Sequence, residues 1–412
     1  MTSKPPEKIR VLVIATTFPR WEDDQEPRFV YNLCQNLPKE VDIHVLAPHA
    51  PNAKEQETWG EIKITRFPYF YPKYLQKLCY DGGIIPKLKS SWLARVQLPF
   101  FLFFLFIRLI KMTANNRFDL IHCHWLIPQG FFCALIKFFR GTPYLLTAHG
   151  GDVYSFKGIP VIPNLIKFAL KRSTFCTVNS QATRNQVLKF SKNSSIKVVP
   201  MGVDLKEFHP GNYNEKFKAS FGEKNLLLLG VGRLADKKGF KYLIEAMPLI
   251  LQEIPSAKLV IIGFGPQKAR LENQIQQLEL ASSISLIGGK TGKELQDWFA
   301  SADIFIGPSI ITADGDTEGQ GVVFLEAMAS GTAVIASDVG GIKDAVRDNI
   351  SGLLVPEKNP QAIAEKVLTL AKNNQLKEKL IQNALELVRS DYSGEQLSQK
   401  FLTLYTQCLE KD

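Results

Sequence analysis

Short apolar runs of β-strand composition alternate with longer amphipathic segments along nearly all 412 residues, and the alternation is laid down twice. The first set comprises 9–16, 41–48, 61–67, 118–124, 142–148, 174–179 and 196–200, with helical patterns between several of them, such as 29–37 and 162–173. The second comprises 225–232, 257–263, 283–288, 302–307, 332–337 and 352–356, with helices expected at 239–253, 267–280, 292–301, 321–330, 340–347 and 360–371. Such alternation, with continuous apolar strands, means a parallel sheet covered on both faces, so the fold class is α/β. A chain of this length exceeds one ordinary core, and two sheets imply two domains, 1–200 and 201–392, meeting near PMGVD (200–204). The last helical stretch, within 393–412, has no strand after it and is expected to pack back on the first domain. Ligands of open parallel sheets bind beyond the carboxyl ends of the strands, and two sheets facing each other would put a site in the cleft between them.

The apolar fraction of 45% and charged fraction of 22% are those of a globular protein. Residues 1–204 hold 27 Lys/Arg against 14 Asp/Glu, and residues 205–412 hold 23 against 26, so the net charge of +10 belongs to the first half. That asymmetry suggests an anionic partner for the first domain, either a membrane surface or nucleic acid, or else a solvated basic surface. Six scattered cysteines with no CxxC argue against a disulfide framework and fit a reducing cytoplasm. MTSKPPEKIR has no apolar core, so no secretory signal is expected. The run LPFFLFFLFI (98–107), interrupted by Arg108 and Lys111, is expected to be too short to span a bilayer.

Six pairs of Glu residues lie eight positions apart, and one of them, Glu318 and Glu326, sits in TEGQGVVFLEAMASG (317–331). Glu318 precedes Gly319, Gln320 and Gly321 on a loop, whereas Glu326 falls in the first turns of a helix. A helix start offers free N–H groups and partial positive charge, which suits a phosphate, and flanking carboxylates suit the hydroxyls of a sugar and a ribose. GVGRLADKKGF (230–240) follows a strand and matches a dinucleotide fingerprint loosely, but the next strand ends IIGFG without the ribose-binding acid. Its Gly232, Arg233 and Lys238 instead suit a diphosphate whose charge grows as it leaves. His149 stands at a strand end beside Gly150, Gly151 and Asp152, a position open either to catalysis or to a structural role. His122 and His124 share one face of a strand; without a further ligand pair a zinc site is not expected. Between 62 and 111 there are nine Lys/Arg and one acid, Asp81, among many aromatics. This mixture suits an interfacial membrane contact through the flanks at 71–95, with part of the Phe run buried under the sheet. No nucleic-acid-binding motif accompanies it, which ranks a single-strand surface lower.

Taken together, TAHGGD (147–152), GRLADKKGF (232–240), IIGFGP (261–266), GPS (307–309) and TEGQGVVFLEAMASG resemble family 4 of the retaining GT-B glycosyltransferases. The opening TTFPRWEDDQEPRFV, HCHWLIPQG (122–130) and TADGDTEG (312–319) resemble its branch that builds bacterial cell-surface polysaccharides. The resemblance covers nearly the whole chain, in order. It implies two Rossmann-like domains, the first binding acceptor and the second binding nucleotide sugar. It also implies diphosphate binding by Arg233 and Lys238, donor-sugar hydroxyls on Glu318 and the ribose on Glu326. Backbone groups of Gly319, Gly321 and their neighbour Gln320 would touch sugar and phosphate, and His149 would lie beside the donor sugar. Asp152, His124 and Arg28 would belong to the acceptor side. No metal or other cofactor is implied. The first-strand loop departs from the pattern: it lacks glycines, and Pro27, which has no N–H to give, stands where relatives carry Gly.

The expected function is transfer of a hexose from a UDP- or GDP-sugar to a lipid-linked or polysaccharide acceptor. The enzyme would be cytoplasmic and peripheral on the inner face of the membrane. A nucleotide-sugar epimerase or phosphorylase-like enzyme on the same fold, a dehydrogenase, and a non-catalytic glycan- or lipid-binding module are the alternatives.

Overall fold

The computed structural model describes all residues except 1–7, 23, 25, 81, 116–117, 155–158, 193–194, 223–224 and 412. Asp81 and most of the N-terminal segment read for a signal therefore lie outside the described residues. The chain divides into two compact units, residues 1–200 with 395–412 and residues 201–394.

The first unit holds an eight-stranded sheet. Its strands are β1 (Ile9–Ile14), β2 (Val41–Pro48), β3 (Gln56–Trp59), β4 (Ile62–Phe67), β5 (Leu120–His124), β6 (Tyr144–Ala148), β7 (Phe175–Val178) and β8 (Ile196–Val198), in the order β3-β4-β2-β1-β5-β6-β7-β8. Only β3 runs antiparallel, paired to β4 through Trp59↔Ile62. It escapes the sequence pattern because QETW lacks the apolar run of a buried strand. The central β1 carries Val11–Ile14 fully buried, as a strand packed on both faces must. Strand order reverses between β1 and β5, so the loops after them open at the switch point of the sheet.

One face of this sheet is covered by the helices Trp92–Asn115, Gln129–Arg140 and Ile162–Arg172. The first corrects an expectation: the Phe run is part of one 24-residue helix, long and apolar enough to cross a membrane by length and composition. The stretch between Trp92 and Leu98 continues it because a proline, Pro99, is tolerated inside. Ala94, Phe101, Leu105, Leu109 and Met112 point one side of it into the core. The helix Gly394–Lys411 also packs in this unit, burying Leu397, Phe401, Leu404, Tyr405 and Cys408.

The second unit is a six-stranded parallel sheet. Its strands are β9 (Leu227–Val231), β10 (Lys258–Ile262), β11 (Ile284–Leu286), β12 (Ile304–Gly307), β13 (Ala333–Ser337) and β14 (Leu353–Val355), ordered β11-β10-β9-β12-β13-β14. This is the doubly wound order of dinucleotide-binding sheets, with its reversal between β9 and β12. The loops after β9 and β12 meet there: Ile310 donates its N–H to Lys237 O at 2.8 Å. Gly239, with φ +65°, would place a Cβ 2.0 Å from Pro308 O, so no other residue fits that crossing. The helix Pro360–Lys372 follows β14 as expected, and the helix Asn374–Asp391 after it was not expected from the sequence alone.

Candidate active site

Two groups of polar residues stand at strand ends, one in each unit. In the second unit, β9 runs into Gly232 and Arg233, then a short turn at Asp236–Lys238 and the helix Phe240–Glu253. This turn aims Lys238 at the loop before the helix Val322–Ala329, where its Nζ lies 3.2 Å from Glu318 Oε2. A Cβ on residue 232 would sit 3.3 Å from Lys238 Cε, so glycine leaves the lysine its path. Lys237 reaches the same loop, donating to Asp316 Oδ1 at 3.3 Å and Thr317 O at 3.4 Å. The backbone of Glu318 is fixed from the other side, by the N–H of Gly341 at 3.0 Å.

Glu318 and Glu326 are in opposite electrostatic states. Burial works against the charge of Glu318, but Lys238 and Lys237 outweigh it and hold the carboxyl below its ordinary range. Glu326, one turn into the helix, is pushed up to about 7 by burial and by the carboxylate of Glu207, against a smaller opposing effect of Lys238. Lys238 thus acts on both glutamates, and the three form one cluster. Gly321 caps the helix at φ +77°; a Cβ there would strike the Phe324 ring at 2.7 Å. The amide of Gln320 is spent on Met201, accepting from N at 2.8 Å and donating to O at 2.7 Å, so its side chain pins residue 201 and only its backbone is left for a ligand.

In the first unit, His149 follows β6 and is pushed down to about 3 by burial, hence neutral at ordinary pH. Its ring packs on Phe29 at 4.8 Å and stacks on His124 at 5.1 Å. His124 Nδ1 lies 2.9 Å from His149 Nε2, and His124 Nε2 is buried without a partner. The arrangement that strands no buried N–H puts the His124 proton on Nδ1, donating to His149. The proton of neutral His149 then sits on Nδ1, the nitrogen His124 does not engage. Below, His122 packs 4.2 Å from His124 and is held by Tyr405 OH and Thr147 Oγ1, each at 2.7 Å.

Two expectations for the acceptor side are revised. Asp152 and His124 are both fully enclosed, and neither presents an atom to solvent. Asp152 accepts the N–H of Leu126 at 2.9 Å and of His149 at 3.0 Å, while burial raises its pKa to about 6. It ties the loop after β5 to the loop after β6 and leaves the His149 ring to His124. Arg28 is half-buried, donates to Glu22 O at 3.2 Å and lies over the Tyr31 ring. Arg233 is exposed on the loop after β9. The sequence reading missed Glu207, which comes from a segment with no motif and meets Glu326 only through folding. It also missed Lys237 and Asp316, although the doubled lysine of ADKKG was a usable signal.

Comparison with known proteins places these clusters in a family. The model "Glycosyl transferases group 1" matches residues 212–387, and "Glycosyltransferase Family 4" matches residues 27–207. An uncharacterized glycosyltransferase of Methanocaldococcus jannaschii is 31% identical over 308 residues, 72% of this chain and 77% of that protein. The amylovoran biosynthesis glycosyltransferase AmsK of Erwinia amylovora is 36% identical over 176 residues, 43% of this chain and 42% of AmsK. Sucrose-phosphate synthase of Thermosynechococcus elongatus superposes with a TM-score of 0.80 at 20% identity, covering 98% of this chain and 100% of that one. Anabaena HepE, solved with UDP and glucose, gives 0.73 at 16% identity, covering 97% and 99%. The chain is a glycosyltransferase of family 4, with the GT-B fold and a group 1 domain at residues 212–387.

Proposed function

We propose that this enzyme moves a hexose from a UDP- or GDP-sugar to a lipid-linked or polysaccharide acceptor, with retention of anomeric configuration and without a metal. It would act on the cytoplasmic face of a membrane in making surface polysaccharide or glycolipid. The observation that carries the reading is the Lys238–Glu318 pair at 3.2 Å beside Glu326, at the switch point of a doubly wound sheet. Binding the donor diphosphate would draw Lys238 away from Glu318 and free that carboxylate for sugar hydroxyls, while ionised Glu326 accepts from the ribose. As the sugar–phosphate C–O bond breaks, an acceptor hydroxyl oxygen attacks from the same face and its proton passes to the departing phosphate. Lys238 and Arg233 offset the charge growing there. His149 offers a neutral Nδ1–H to a sugar hydroxyl, and His124 is its positioning residue. HepE was solved with UDP and AmsK is named for polysaccharide synthesis, which supports the donor and acceptor classes.

Lys238→Ala and Glu318→Ala are expected to lower kcat by about 10²–10³-fold with the fold retained. Turnover within a few-fold of wild type in both variants would refute the assignment. A thermal-shift panel of nucleotide sugars identifies the donor by mass action, and product analysis with and without acceptor separates transfer from epimerisation.

A further inference from the structure

The helices over one face of the first sheet carry a charge pattern that the sugar chemistry does not use. Residues 84–115, 129–140 and 162–172 contain ten Lys/Arg and no Asp/Glu. The three longer helices form one layer: Phe106 stacks on Phe132 at 5.1 Å, and Phe131 meets Phe168 at 5.5 Å. Their shared inner side is the core, so their outer sides face the same way. On that outer side Trp92, Val96, Phe100 and Phe103 are exposed, Trp92 at 73%. With about 100° per residue these four fall on one stripe, opposite Ala94, Phe101 and Leu105. The stripe runs roughly 16 Å along the helix. Phe138 and Phe139, 67% and 72% exposed, extend the apolar surface from the end of the neighbouring helix. The exposed cations Lys89, Arg95, Lys111, Arg140, Lys167 and Lys171 accompany them.

We infer that this face is an interfacial anchor that lays the helix Trp92–Asn115 flat in the headgroup region of an anionic bilayer. Large aromatics at the boundary and lysine or arginine heads reaching phosphates are the chemistry such an interface selects. Spanning is ruled out by the inner side of the helix: Phe101, Leu105 and Leu109 are fully committed to the core. A second copy of the chain is the wrong occupant, because a two-fold interface through this face would bring its six exposed cations against the same six, with no acid among these helices to offset them. The anchor overlaps the flanks at 71–95 that the sequence suggested, through Lys89, Trp92 and Arg95, and continues beyond them. The inference deepens the membrane part of the proposed function and rests on none of its sugar chemistry.

The test uses the full chain with vesicles of neutral lipid, with or without anionic lipid, in a sedimentation assay. Wild type is expected to pellet with anionic vesicles only, to be released by salt, and to show a Trp92-dependent blue shift that Trp92→Phe abolishes. Phe103→Ser with Phe139→Ser is expected to lower partitioning at least tenfold, and Lys111→Ala with Lys171→Ala by about fivefold per charge. All these positions are exposed, so melting points stay at the wild-type value, and donor-nucleotide binding, read separately, is unchanged. Equal pelleting with neutral vesicles, retention in alkaline carbonate, unaffected binding in the aromatic variant, or capture by single-stranded RNA lost in the same variants would each overturn the inference.

Discussion

Replacing Glu326 by glutamine should make the unliganded enzyme more stable at alkaline pH and worse at holding its donor. Its carboxyl ionises at about 7 in the folded chain and near 4.5 when unfolded, because burial and Glu207 oppose the charge. The folded-state pKa is raised, so the stability linked to this group is full below about 4.5 and is lost as pH climbs through 7. Once ionised, the group costs the fold about 3 kcal/mol. Glutamine cannot ionise and removes that cost. For a unit of this size the gain amounts to about 6–12 °C in Tm at pH 8. Well below pH 4.5 Glu326 is neutral in both states, and the two proteins should melt together. The difference in Tm between variant and wild type, followed by calorimetry from pH 4 to 9, should therefore rise between about 4.5 and 7 and level off above 7. Nucleotide binding should move the other way, weakening about 10–100-fold at pH 8 through loss of a charged acceptor for the ribose. A Tm difference that stays flat with pH, or a variant less stable than wild type at pH 8, would refute the reasoning.

His124→Ala should lower kcat about tenfold or more, and His124→Asn, whose amide can donate where Nδ1 does, should recover most of it. In wild type His149 stays neutral above its pKa of about 3, so no histidine limb should appear in the pH–rate profile between 5 and 8. Opening the site in the alanine variant should add one on the acid side; an unchanged profile would mean His124 is only packing. Tyr405→Phe leaves His122 Nδ1 without its partner, and should cost about 1–3 kcal/mol in denaturant unfolding while kcat stays within twofold.

The parallel strands were legible because they are apolar runs bounded by turn residues, and the central ones are long enough to be buried on both faces, whereas the three-residue β8 and β11 are only partly covered. QETW of β3 was not, since an antiparallel edge strand needs no such run. The order of β9 to β14 followed from no single motif, yet the Gly–Arg–Lys loop and the two glutamates were readable as one site because glycines mark where chains approach closely. What the spacing could not reveal was how side chains spend their hydrogen bonds. The Gln320 amide is tied to Met201, a partner that no motif announces. Asp152 looked like an acceptor contact and holds backbone N–H groups instead. Glu207 lies more than a hundred residues from Glu326 in sequence, so only tertiary packing could pair them. The helix Trp92–Asn115 was underestimated because Arg95, Gln97 and Pro99 interrupt its apolar run; folding turns Gln97 and Pro99 to different sides.

The helix Gly394–Lys411 belongs to the unit whose sheet was finished at Val198, with the whole second unit translated in between. A ribosome would need about 10–40 s to traverse that interval. Throughout it, the seat for Phe401 and Tyr405 stays open, and His122 lacks the hydroxyl that later satisfies it. The nascent first unit is therefore an unfinished object, one that a holding chaperone would bind and a gene fragment ending at residue 200 would reproduce. A circular permutant starting near residue 395 and linked into β1 would instead emerge with its closing piece first, and should mature before the second half is made.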